Sequence, residues 1–160
     1  MKKTIFSLLI FGLIGLSSFT TKSVNYEQIA FDYFISDILT RDFTNLSAIE
    51  VKGTTEESFS NWGNYKFCLK PVEKLQSLVE GATKGLRSNS KEIDYDQVKN
   101  ITVTAFTDKS NSAKLYVYNA VHVADNFYVF LSIQNRKEIL FNYVFELNSN
   151  GEILRSCEMK

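Results

Sequence analysis

His122 is the single histidine of this chain, hence its one side chain with an unperturbed pKa near neutrality. As a general base it would need a cleft and a carboxylate or hydroxyl within reach. Alternation along residues 113–124 sets Tyr116, Tyr118 and His122 on one side, and Tyr128 and Phe130 fall on the matching side of the following run. These five residues are the candidate pocket or interface. Asp32 or Asp37, on a predicted helix, could orient the imidazole. The plainer alternative is a strand histidine satisfied by a neighbour, with no chemistry to perform.

Nucleophilic chemistry has less to stand on. There is no Gly-x-Ser-x-Gly elbow and no glycine-rich phosphate loop, so no catalytic residue is assigned. Cys68 and Cys157 are far apart in sequence, and in an exported chain the simplest reading of two such cysteines is one disulfide. Closing that loop would stabilise the fold by roughly 2–4 kcal/mol; the alternative is two separate thiols packed as small apolar groups. Two distant cysteines and one histidine, with no close ligand pair, make no zinc site, and no cofactor is implied. Trp62 and Tyr65 mark an exposed aromatic loop that could stack on a sugar or an apolar ligand. The triplets starting at Asn45 and Asn100 fit glycosylation acceptors but are expected to stay unmodified, because the leader is bacterial in style.

That leader occupies residues 1–23. Lys2 and Lys3 precede an uncharged run from Ile5 to Leu16 and a small polar exit around Ser17 to Ser23, the layout of a secretory signal peptide. The apolar run is too short for the roughly twenty residues of a membrane span, and cleavage is expected between about residues 18 and 24. Lys2, Lys3 and Lys22 would leave with it, taking the chain from eighteen basic against eighteen acidic residues to a net charge near −3. With no basic block remaining, a nucleic-acid surface is not expected, since such binding depends on Lys and Arg neutralising phosphates. Nor is stable membrane insertion after cleavage. Residues 24–160 have the length of one domain, placed in the periplasm or outside the cell.

Several elements can be read in that domain. From Asn25 to Thr40, apolar residues recur at three and four and predict an amphipathic helix, with Asn25 as cap and Gln28 reaching back to it. Leu46 to Val51 reads as a short strand. Pro71 suits the first turn of a second helix carrying Val72, Leu75, Leu78, Val79 and Ala82. From Ile101 onward the chain is β-rich, with runs separated by Asp108 to Asn111, Asp125-Asn126, Asn135 to Lys137 and Asn148 to Gly151. Short connectors imply antiparallel neighbours. The expected fold class is α+β: an N-terminal helix and a second helix packed on a curved antiparallel β-meander of four to six strands.

A helix, a strand, an inserted helix and a long meander, in that order, resemble the cystatin-like and nuclear-transport-factor-2-like group of folds. The resemblance implies a curved sheet wrapped on a helix, dimerisation through the outer sheet face, and in some members a cone-shaped pocket. Cystatin inhibitors carry a Gln-x-Val-x-Gly loop, and Ile49 to Gly53 keeps Val51 and Gly53 of it, with Ile49 in place of the Gln. The expected function is a non-enzymatic binding module for a protein or a small apolar or carbohydrate ligand, with the second sheet face as pocket or homodimer surface. The alternatives are a small hydrolase or isomerase-like pocket using His122 as general base, and a structural accessory protein of the cell envelope.

Overall fold

The computed structural model describes residues 23–44, 46–57, 80, 89–96, 98, 101–107, 112–135 and 139–159. The proposed leader up to residue 22, Trp62, Tyr65, Cys68, the proposed second helix apart from the helical Glu80, and the asparagines of both glycosylation triplets lie outside them.

The N-terminal helix, α1 (residues 26–42), runs as an α-helical stretch Tyr26–Tyr33, a π-helical stretch Phe34–Leu39 and a closing turn Thr40–Asp42. Asn25 caps it, its Oδ1 accepting the Gln28 amide at 3.1 Å. The Gln28 side chain does not reach back as expected. It pairs instead with the backbone of Asp94, donating to its carbonyl and accepting from its amide, both at 2.8 Å. The buried residues Ala30, Phe31, Phe34, Ile35, Ile38 and Leu39 recur every four positions. Four residues of α-helix overshoot a full turn by about 40°, and the slower winding of the π-helical stretch takes that overshoot back. The apolar stripe thus stays straight against the sheet.

Seven strands form that sheet: β1 (Ala48–Val51), β2 (Thr102–Ala105), β3 (Lys114–Val117), β4 (Val121–Val123), β5 (Asn126–Gln134), β6 (Ile139–Asn148) and β7 (Ile153–Met159). Their order is β2-β1-β3-β5-β6-β7, with β4 beside β5. The architecture is α+β, but the sheet is mixed. β1 lies between β2 and β3 and runs parallel to both, whereas β3 through β7 pair antiparallel. The purely antiparallel meander expected from the short connectors therefore holds only for the second part of the sheet. β1 inserts between β2 and β3, so the short connector of residues 106–113 joins two strands that are parallel and not neighbours, and the hairpin rule does not apply to them.

One sheet face packs on α1 through Ile49, Val51, Leu115, Val117, Val129, Leu131, Ile133, Tyr143, Phe145 and Leu147. Aromatic rings fasten the seam, Phe34 edge-on to Tyr143 at 5.2 Å and Phe43 edge-on to Phe141 at 4.3 Å. A second cluster on the outer face joins Val121, Tyr128, Phe130, Val144 and Met159. The β6–β7 turn closes at Gly151 as expected. Its φ is +86°, and a Cβ there would sit 2.6 Å from Ile29 Cδ1 and 3.0 Å from Val24 Cγ1, so this position needs glycine for both backbone and space. Among the described residues no helix is long and apolar enough to cross a membrane.

Candidate functional site

The run 113–124 is not one strand. Val117 pairs with Leu131 and the Tyr118 amide bonds the Phe130 carbonyl, while Val121 pairs with Tyr128. Asn119 and Ala120 together therefore face the single residue Val129, a β-bulge. The amides freed from the ladder are taken elsewhere: Asn119 donates to the Glu56 carbonyl and Ala120 to the Glu27 carboxylate at 2.8 Å. Inserting one residue reverses the faces of everything after it.

This reversal separates the expected constellation. Tyr116, Tyr118, Tyr128 and Phe130 share the outer face, where Tyr118 meets Phe130 edge-on at 5.1 Å. His122 pairs with Phe127 and turns to the α1 side, stacked on the Phe127 ring at 4.4 Å. Tyr26 stacks on the same ring at 3.8 Å. Two rings that close and that parallel cannot share one face of a phenyl group, so Phe127 is sandwiched between them. His122 is exposed, and Asp32 and Asp37 do not orient it: Asp32 accepts from Gln28 Nε2, and Asp37 from Ser36. Burial, more than the neighbouring Asp94 charge, raises the Asp32 carboxyl above the usual carboxylate range, against the opposing Gln28 hydrogen bond.

On the outer face, Tyr128 and Phe130 are 1% exposed, which leaves them no surface for a second copy to contact. Glu146 organises this region, accepting from the Tyr128 hydroxyl and Asn126 Nδ2, each at 2.8 Å, and from the Arg155 guanidinium. Burial, reinforced by the Glu146 carboxylate, pushes the Tyr128 phenol up to about 12. Burial does the same to Tyr118, with Glu56 adding to it, again to about 12. Both phenols are held as neutral hydroxyls and are unsuited to act as bases. Glu50, Lys114 and Thr107 form a further satisfied polar group, with the Lys114 ammonium 3.9 Å from the Phe106 ring centroid.

Sequence reasoning missed two features. Glu27 is fully buried on α1 and holds Lys91 Nζ through both carboxylate oxygens at 2.7 Å, besides the Ala120 amide. Nearby, the Thr55 hydroxyl donates to Asn119 Oδ1 at 2.5 Å and accepts the Lys91 amide. The signal for Glu27 was present, because it lies four residues before Phe31 on the buried stripe. The second feature is a cleft of about 290 Å³ at the C-terminal end of α1, lined by Leu39, Thr40, Phe43, Thr44, Leu46 and Ile101. Among the described lining residues no side chain is titratable, and the Thr40 hydroxyl is engaged by the Ser36 carbonyl at 2.6 Å. His122 sits by Tyr26 at the other end of the helix, about 20 Å away by the helical rise between Tyr26 and Leu39.

The segment 49–53 that echoes the cystatin loop lies mostly in β1, with Ile49 and Val51 buried in the core. Among the described residues no group of His, Cys, Asp and Glu could hold a metal ion. Compared with protein-family models, curated proteins and solved structures, the chain matches none.

Proposed function

We propose that this chain is an exported, non-enzymatic binding module whose recognition site is the cleft at the C-terminal end of α1. The observation that carries the reading is the character of that cleft. Four apolar side chains and two threonines line a surface that is polar and apolar in similar measure, which suits a small uncharged group, and His122 is stacked at the far end of the helix. A volume of about 290 Å³ is at the low end for small-molecule sites and fits a single ring or branched side chain. The leader supports export, and with it a disulfide between Cys68 and Cys157.

Titration with the fluorescent apolar probe anilinonaphthalene sulfonate tests the site. Saturable binding is expected, lost when Thr44→Trp fills the cleft and retained in His122→Ala. Binding indifferent to Thr44→Trp, or a turnover activity abolished by His122→Ala, would overturn the reading.

A further inference from the structure

β2 is an outer strand, paired to β1 on one side and, among the described residues, to nothing on the other. The amides of Thr102 and Phe106 donate to the carbonyls of Ser47 and Val51. Backbone groups in such a ladder face alternate sides, so Val103 and Ala105 direct N–H and C=O toward the open side. Thr102, Thr104 and Ala105 are exposed to solvent, and no described element covers them. Proteins protect free edges with charges, proline or bulges. Another outer strand, β7, has Arg155, Glu158 and a bulge at Leu154, whose side chain is 53% exposed. Thr102-Val103-Thr104-Ala105 has no charge, proline or bulge, and its four-residue length is its one safeguard.

The cleft adjoins this open edge. Ile101, the residue before β2, forms one wall, and Leu46, two residues before β1, forms another. We propose that the β2 edge and the cleft together dock an extended, uncharged peptide segment of a partner protein. The segment adds to the sheet as a further strand and seats one bulky apolar side chain, of Leu, Met or Phe size, in the cleft. Main-chain pairing supplies affinity and the side-chain pocket supplies specificity, as in other strand-addition complexes. This rests on the cleft being a binding site. A second copy is the poorer occupant, because self-pairing of β2 would offer the cleft only Thr, Val and Ala side chains, too small to fill it.

The test is selection of a phage-displayed library of random linear peptides on the mature protein, followed by affinity measurements with a synthesised winner. Enrichment of peptides with one bulky apolar residue is expected. Their binding should weaken by about tenfold or more in both Val103→Pro, which removes an outward amide and spares the β1 ladder, and Thr44→Trp. Loss in Thr44→Trp alone overturns edge docking and leaves the cleft standing as a site. No enrichment, or loss in neither variant, overturns the proposal, and the anilinonaphthalene titration then decides the cleft separately. Loss in Val103→Pro alone removes the cleft from the docking site. A dimer in solution that Val103→Pro dissociates, with no peptide selected, overturns it in favour of self-pairing. Should Val103→Pro fail to fold, amide exchange on the unmodified protein decides: the peptide must protect Val103 and Ala105, and protection confined to cleft residues refutes strand addition.

Discussion

Glu27 and Lys91 are unequal partners. The carboxylate has no exposed surface, whereas the Lys91 side chain is 44% exposed. Glu27→Gln keeps an acceptor for the Ala120 amide and lets the ammonium return to water, at an expected cost of about 1 kcal/mol. Lys91→Met strands a buried carboxylate, and about 3 kcal/mol or more should be lost. Urea unfolding midpoints would rank the two variants, and the reverse order would show that the pair does not seat the helix. The tyrosines make a pH prediction. Tyr118, Tyr128 and Tyr143 are each pushed up to about 12, in every case first by burial, against about 10 for an unfolded tyrosine. Between those values the folded chain binds more protons than the unfolded one, so stability is intact below pH 10 and falls as pH rises toward 12. Ultraviolet titration should resolve a late tyrosinate class that emerges as the chain unfolds, and Tyr118→Phe should make that loss shallower.

At the scale of elements, the π-helical stretch behaves as a one-residue insertion in an α-helix. Ser36 is exposed within it. Deleting Ser36 should give a continuous α-helix that keeps Phe34, Ile35, Ile38 and Leu39 on the sheet, within the roughly 0.5–3 kcal/mol usual for single changes. Thermal melts followed by circular dichroism check this, and a loss well beyond that range would show that the π-helical geometry itself is required. The helix itself was legible in its apolar period, as were its Asn25 cap and the turn at Gly151. The β4–β5 turn was misplaced by one residue and falls at Ala124-Asp125. Hidden from the sequence were the bulge at Asn119-Ala120 and the parallel entry of β1. A bulge is written in its hydrogen-bond partners, here Glu27 and Glu56, which lie far away in the chain. Periodicity alone carried the alternation through it, and so His122 was assigned to the wrong face.

For the whole molecule, the proposed bridge would tie Cys157 on the outer strand β7 to position 68. Intact mass after alkylation with and without prior reduction tests it. Two added alkyl groups only after reduction are expected, and alkylation without reduction would sink the proposal. Removing the bridge by Cys157→Ser should lower stability by about 2–4 kcal/mol.

The packing of Val24 and Ile29 against Gly151, together with the Tyr26 hydroxyl bound to the Ser149 carbonyl at 3.0 Å, bears on the order of assembly. The start of α1 finds its seat on a turn that lies 123 residues further along the chain, counted from Tyr26 to Ser149, and the sheet beneath α1 is built largely from residues after 100. Contacts so distant along the chain form slowly. The start of α1 therefore has nothing to fold against until the β6–β7 turn exists, which makes its docking one of the late, slow steps of folding.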